Sequence, residues 1–152
     1  MKICDVLHKE AILADLKARN KKGILEELVA PVAEIAGVQQ KDLVKVLLER
    51  ERLGSTGIGG GIGIPHGKMK DLDSLVLGFG LSRKGVDFES LDGEPAYIFF
   101  LLITPENSTG LHLKLLARIS RILKNETFKD RLLGASDRDE ILSIIKEDDE
   151  EF

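Results

Sequence analysis

The chain has 152 residues, of which 43% are hydrophobic and 32% are charged, a composition typical of one globular domain that buries a proper core. Its formal charge of −4 and its pI near 5.5 argue against nucleic acid or an anionic membrane as the main partner. Cys4 is the one cysteine, which excludes an intramolecular disulfide and fits a reducing compartment. Because the sequence has neither an apolar run of membrane-spanning length nor a signal-peptide pattern, we expect a cytoplasmic protein without membrane insertion.

The first third of the sequence predicts a short apolar strand followed by two helices. The strand lies near residues 11–13. Asn20 is a good N-cap for a helix over residues 21–36, where apolar side chains recur at helical spacing. Pro31 is expected to kink or divide this helix, because proline lacks the backbone N–H and clashes with the preceding turn. A second amphipathic helix is predicted over residues 40–52.

The second half of the sequence alternates between buried strands and helices. Two short apolar runs, at residues 75–81 and 96–103, predict buried strands. Three further helices are predicted at residues 109–125, 127–133 and 137–146. The acidic end, residues 148–152, is expected to fray. This order predicts one α/β domain over residues 1–152, with helices on both faces of a small sheet.

Between these halves lies a glycine-rich segment, residues 55–68, which reads STGIGGGIGIPHGK. Glycine allows backbone N–H groups to approach a ligand closely. Pro65 has a fixed φ and favours an extended Ile64, so His66 is expected where a short strand stops and the chain turns. A histidine between a stiff proline and a permissive glycine is held with its side chain accessible to a ligand, and we interpret His66 as the reactive group. The alternative is a tight turn in which the histidine is incidental.

The common phosphate-binding motifs are absent from this segment. A P-loop would require glycine at position 62 and serine or threonine after Lys68, but these positions hold Ile62 and Met69. The Gly-x-Gly-x-x-Gly pattern fails in every register. Nucleotide binding is therefore disfavoured.

Two further side chains have positions that suit anion binding. His112 is in the first turn of its predicted helix, on the side shared with Leu116 and Ile119, and such a turn can receive an anion. The alternative is a histidine at the edge of the core that makes one structural hydrogen bond. Arg50 lies near the end of the helix that leads into the glycine-rich segment, where its guanidinium could bind an oxyanion. The alternative is an arginine whose stem packs while its head reaches water.

Together, a presented histidine, a second histidine at a helix start and an arginine favour phosphoryl transfer through histidine. Neutral imidazole is nucleophilic near neutral pH, and phosphoryl transfer mainly requires positioning and charge stabilisation. The alternative from a different class is a module that binds a small anion or a partner protein without covalent chemistry. No metal site is expected, because the three histidines and Cys4 lack metal-binding spacings.

The run GSTGIGGGIGIPHGK resembles the active-site segment of IIA domains in the bacterial phosphoenolpyruvate-dependent sugar phosphotransferase system. The similarity is to the mannitol/fructose type, which includes the nitrogen-regulatory IIA proteins. Those domains share an arginine sixteen residues before the active histidine, matched by Arg50 in LLERERLGST, and a second histidine at the start of a later helix, matched by His112 in TGLHLKLLARIS. The resemblance extends over nearly the whole chain.

The resemblance implies that His66 accepts a phosphoryl group from the phosphocarrier protein HPr or a paralogue. In a transport system the group then passes to a IIB domain, whereas in the regulatory branch the phosphorylation state controls binding to a regulatory target protein. His112 would hydrogen-bond the phosphoryl oxygens and Arg50 would help to neutralise them. Lesser phosphoryl contacts are implied for Ser55, Thr56 and Gly67.

The resemblance also implies a three-layer α/β/α domain whose mixed sheet of four or five strands lies between helices, with no metal or organic cofactor. The sequence STGIG is more similar to the nitrogen-regulatory proteins than to the mannitol domains. A free-standing fructose- or mannitol-type IIA component of a sugar transporter is the alternative within the family.

Overall fold

A computed structural model describes residues 1–151, with the side chains of Thr109, Leu111 and Glu151 left aside. A short 3-10 turn, Ile3–Asp5, precedes the first strand. The strands are β1 (Leu7–Leu13), β2 (Gly57–Gly59), β3 (Ile62–Gly63), β4 (His66–Met69), β5 (Val76–Val86) and β6 (Ala96–Pro105). The helices are α1 (Lys21–Ala36), α2 (Gln40–Arg52), α3 (Thr109–Ile122), α4 (Glu126–Leu133) and α5 (Arg138–Glu151).

The strands form one mixed sheet in the order β1-β5-β6-β3-β2, with β4 also paired to β6. Strands β5 and β6 are antiparallel, whereas β1 runs parallel to β5. Strands β3 and β4 follow one another along the same side of β6, both parallel to it. The predicted mixed sheet is confirmed, but it has six strands rather than four or five. The short glycine-rich strands carry no apolar alternation that would mark them in the sequence.

Helices cover both faces of this sheet, and each interface has its own core. Along β6, Phe99 and Leu101 face the core under α1 and α2, while Ile98 and Phe100 face the core under α3, α4 and α5. This alternation follows from the two-residue period of a strand. Because both faces are covered, the strand is apolar over residues 96–103, as its sequence predicted. The three-layer α/β/α architecture is confirmed.

The first two helices have the predicted bounds. The Asn20 side chain accepts a hydrogen bond from the N–H of Gly23 at 2.7 Å and so caps α1. Gly37 ends the helix with φ of +71°, a conformation that glycine adopts without strain. Of the two outcomes expected at Pro31, a kink or a division, the division is wrong, because α1 runs unbroken past it. Leu28 and Val32 on either side of the proline are buried, so their packing holds the helix together.

The predicted fraying of the C-terminal tail is wrong for residues 148–151, while Phe152 lies outside the described residues. Helix α5 continues to Glu151, and Asp149 is only 1% exposed. The Asp149 carboxylate accepts hydrogen bonds from the N–H groups of Ile3 and Cys4, both at 3.0 Å. It also pairs with Nε of Arg118 at 2.8 Å. These contacts join the two ends of the chain, so the local run of acidic residues could not reveal them.

Candidate active site

The three residues predicted to act together line one surface pocket. Arg50 comes from the last turn of α2, His66 from the first residue of β4 and His112 from the first turn of α3. They meet because β4 pairs with β6, which leads directly into α3, while α2 packs against β4. His66 was expected where a strand stops. It instead begins β4 opposite Leu102 of β6, and this pairing holds its backbone.

His66 is half-buried, and one ring nitrogen is already engaged. Its Nδ1 lies 2.7 Å from the carbonyl oxygen of Ile64, so Nδ1 donates and the lone pair lies on Nε2. Burial lowers the pKa of His66; the Ile64 hydrogen bond opposes this effect, and the Arg50 charge adds to it. The ring is therefore neutral near pH 7, which is the nucleophilic form.

His112 is adjacent to His66 and more deeply buried, with 7% of its surface exposed. The two ring centroids are 5.1 Å apart in an edge arrangement with an interplanar angle of 69°. Nδ1 of His112 lies 3.2 Å from the hydroxyl oxygen of Thr104. Burial lowers the pKa of His112, and the neighbouring His66, Lys68 and Arg50 lower it further. His112 is thus a second neutral imidazole in the pocket.

Arg50 supplies positive charge at the edge of the pocket. Its Nη1 donates to the carbonyl oxygen of Gly54 at 2.9 Å, which anchors the guanidinium where α2 ends. The charge also lowers the pKa of both His66 and His112, although burial is the larger cause for each ring. A guanidinium so placed has further N–H donors for a planar oxyanion.

Gly67 also lines the pocket, and its lack of a side chain has a packing reason. A Cβ added there would lie 2.9 Å from Cγ1 of Val46, which is shorter than an ordinary carbon contact. Strand β4 can therefore approach α2 this closely only with glycine at position 67. This close approach brings the end of α2, with Arg50, beside His66.

Ser55 and Thr56 lie outside the set of residues that line this pocket. The Ser55 hydroxyl donates to the carbonyl oxygen of Phe88 at 2.8 Å. Thr56 is buried, and its hydroxyl and N–H both donate to the Glu51 carboxylate, which pairs with Lys21 at 2.7 Å. Both residues anchor the start of the glycine-rich segment, so we do not retain them as phosphoryl contacts.

Two residues at the site were missed from the sequence. Lys68 lines the pocket, because residues two apart on a strand face the same side and His66 and Lys68 are both in β4. The signal was present in the sequence, but β4 itself was not predicted. Thr104 contacts His112 from within β6, and its spacing from His112 gives no local indication of this contact.

Other kinds of site find little support in the described residues. Among the side chains that the structure describes, no group of three His, Cys, Asp or Glu residues is placed to hold a metal ion. Burial, together with the neighbouring Asp149, raises the pKa of the Cys4 thiol to about 11, so this thiol is protonated and a poor nucleophile. Within residues 1–151, no helix combines the length and apolar character needed to cross a bilayer.

Comparison with known proteins agrees with this geometry. Residues 5–148 match the family described as phosphoenolpyruvate-dependent sugar phosphotransferase system, EIIA 2. The chain is 41% identical over 145 residues to a nitrogen regulatory protein of Bradyrhizobium diazoefficiens, covering 95% of each. It is 37% identical over 150 residues to the fructose-specific EIIABC component of Bacillus subtilis, with 98% of this chain spanning 24% of that protein.

A solved structure shows the same fold. The crystal structure of nitrogen regulatory protein IIA-Ntr from Neisseria meningitidis superposes with a TM-score of 0.89 at 31% identity, covering 94% of this chain and 98% of that one. Sequence, fold and pocket therefore lead to one assignment. The chain belongs to the EIIA 2 family of the phosphoenolpyruvate-dependent sugar phosphotransferase system and, within that family, to the nitrogen-regulatory branch.

Proposed function

We propose that the protein is a phosphocarrier that accepts a phosphoryl group on Nε2 of His66. The donor is the phosphocarrier protein HPr or a paralogue, and the protein then passes the group on or signals through its phosphorylation state. The observation that carries this proposal is the pocket itself, in which a neutral, half-buried imidazole, hydrogen-bonded through Nδ1, lies beside a second imidazole and a guanidinium. No cofactor is needed for this chemistry.

The transfer is a displacement at phosphorus. The Nε2 lone pair of His66 forms the new N–P bond as the bond from phosphorus to the donor breaks, and that electron pair stays with the donor. The proton on Nδ1 remains in place, hydrogen-bonded to the Ile64 carbonyl. Because the ring gains positive character in the phosphorylated form, this hydrogen bond becomes charge-assisted and stronger.

The surrounding groups stabilise the charge on the phosphoryl oxygens. Arg50 supplies a fixed positive charge, and an N–H of His112 can donate to an oxygen of a group on the adjacent ring. Lys68 adds a second positive charge at the same pocket. Because Arg50 and His112 are already held by hydrogen bonds within the fold, little reorganisation of these two groups is needed during transfer. Gly67 remains a proposed lesser contact through its backbone.

Membership of the nitrogen-regulatory branch favours a signalling role, in which the phosphorylated and free forms differ in their binding to a regulatory target protein. The second candidate is a sugar-transport component that passes the phosphoryl group to a IIB domain, and the 37% identity to a fructose-specific EIIABC component supports it. Both roles place the protein in the cytoplasm, where we expect its donor. Offering the phosphorylated protein a fructose-type IIB domain separates them, because only the transport role predicts rapid onward transfer.

The decisive experiment is phosphorylation in vitro. The protein is incubated with phosphoenolpyruvate, enzyme I and HPr, and its mass is measured. We expect one added phosphate that is labile to acid, stable to base and absent from His66→Ala. His8→Ala is the matched control and should be labelled normally, because His8 is exposed on β1 and outside the pocket. No incorporation from an active donor would refute the phosphocarrier role and favour the non-covalent binding module.

Variants of the flanking residues test their separate contributions. We expect His112→Ala to retain the fold but to slow transfer. Arg50→Ala should slow the labelling of His66 clearly while lowering the melting temperature only slightly. Unaltered transfer in His112→Ala, or a large loss of stability with normal labelling in Arg50→Ala, would instead indicate structural roles.

A further inference from the structure

Thr104 occupies an unusual position for a polar side chain. It is fully buried, with 0% of its surface exposed, near the end of β6 and opposite Lys68 in the sheet register. Its hydroxyl oxygen lies 3.2 Å from Nδ1 of His112. Among the side chains that the structure describes, this imidazole is the one hydrogen-bond partner of the hydroxyl. A buried hydroxyl is costly unless it is hydrogen-bonded, so the contact accounts for Thr104.

The direction of this hydrogen bond decides what His112 can do. A neutral imidazole has one N–H, and the bond made by one nitrogen determines which nitrogen carries the proton. If Nδ1 donated to Thr104, Nε2 would present a lone pair to the pocket and repel phosphoryl oxygens. If the hydroxyl donates to Nδ1, the proton lies on Nε2, the nitrogen across the ring from Thr104. Only the second arrangement makes His112 a hydrogen-bond donor in the pocket.

The charged groups around His112 make the choice of tautomer important. His66, Lys68 and Arg50 face the ring, and together with burial they lower its pKa. Imidazolium, which would donate from both nitrogens, is therefore suppressed near neutral pH. His112 can then donate to a phosphoryl group only if its single proton is on Nε2.

We propose that the Thr104 hydroxyl donates to Nδ1 of His112 and thereby holds the imidazole proton on Nε2, ready for a phosphoryl group on His66. This inference rests on the proposed function and assigns to it a positioning residue. Thr104 acts through His112 and contacts no phosphoryl oxygen itself. Substitution by valine removes the hydroxyl and keeps the branched shape, whereas substitution by serine keeps the hydroxyl and removes a methyl group.

Nitrogen NMR of the imidazole rings tests the tautomer directly in the unphosphorylated protein. We expect His112 to be protonated on Nε2 in the wild type and in Thr104→Ser, and to lose this preference in Thr104→Val. Protonation on Nδ1 in the wild type would overturn the proposal. Because this measurement needs no phosphoryl donor, it decides the role of Thr104 even if phosphorylation of His66 fails.

Transfer kinetics provide the second test. We expect Thr104→Val to slow phosphoryl transfer by about tenfold, the lower end of the scale for a metal-binding histidine that loses the partner that orients it. Thr104→Ser should transfer at nearly the wild-type rate, and Thr127→Val, at an exposed position in α4, is the matched control. Wild-type rates in Thr104→Val, or equal losses in the valine and serine variants, would overturn the proposal. If Thr104→Val fails to fold, the serine variant and the wild-type tautomer still decide it.

Discussion

Replacing Gly67 by alanine tests whether the close packing of β4 on α2 holds the site together. The added Cβ would lie 2.9 Å from Cγ1 of Val46 and 3.6 Å from Cδ2 of Leu47. Carbon atoms pack best at about 3.5–4.0 Å, so the contact with Val46 is too short and the contact with Leu47 is ordinary. Because a β-branched valine in a helix is stiff about χ1, we expect the clash to push the strand and the helix apart. His66 is on one of these elements and Arg50 on the other.

The expected size of the effect follows from this overlap. Overpacking a well-packed site costs about 1–3 kcal/mol. In a chain of this length, each kcal/mol lowers the melting temperature by about 2–4 °C, so we expect a decrease of about 2–12 °C. Phosphoryl transfer should slow by at least about tenfold, because a misplacement of about 1 Å can slow catalysis by about a hundredfold.

Thermal unfolding and the rate of His66 labelling measure the two effects. Val46→Ala removes the methyl group that the new Cβ would contact, so the double variant should be more stable than the sum of the single effects predicts, by about 1 kcal/mol. Gly134→Ala is the matched control, because its Cβ would meet its nearest atom at an ordinary 3.5 Å. Wild-type stability and rate in Gly67→Ala, or strict additivity with Val46→Ala, would refute this explanation.

Three other predictions concern pH and buried charges. Because burial lowers the pKa of His66 below 6.5, labelling should persist as pH falls through 6.5 and should decline only at lower pH. The free energy of unfolding should decrease as pH falls below 6.5, since the unfolded chain then binds the proton more readily than the folded chain does. A labelling midpoint above 6.5 would contradict this. Asp149→Ala removes the buried carboxylate that accepts from Arg118 and from the N–H groups of Ile3 and Cys4 and should cost about 3–5 kcal/mol in urea unfolding, whereas a loss below about 1 kcal/mol would show that the ends of the chain are held otherwise. Glu51→Ala removes the carboxylate nearest to Lys21, whose side chain is 13% exposed. We expect the free energy of unfolding to fall by about 3–5 kcal/mol in this variant and by less in Glu51→Gln. Equal losses in the two variants would show that the charge of Glu51 is unimportant.

Local chemistry explains what could be predicted from the sequence. The Asn20 cap and the glycine at position 37 define α1, and its bounds match the prediction because both ends depend on residues within one turn. The apolar run of β6 predicts a strand covered on both faces, and the structure shows it. The glycine-rich segment with Pro65 and His66 identified the family because its composition is unusual over a short stretch.

Elements held by distant partners were missed. Strand β4 has only four residues, and it exists because β6 pairs with it. Helix α5 continues through an acidic tail because Asp149 accepts hydrogen bonds from the first residues of the chain. In both cases the stabilising group is far away in sequence, so a local pattern contains no information about it.

The sequence by itself determined the five helices and the two long central strands, the α/β class, the family and the identity of the three candidate site residues. Tertiary structure alone decided which functional groups share a pocket. It placed Lys68 and Thr104 with the two imidazoles and used the hydroxyls of Ser55 and Thr56 elsewhere. The physical reason is that helix propensity, capping and alternation act within a few residues, whereas the proton positions and charges of the site depend on contacts between α2, β4, β6 and α3.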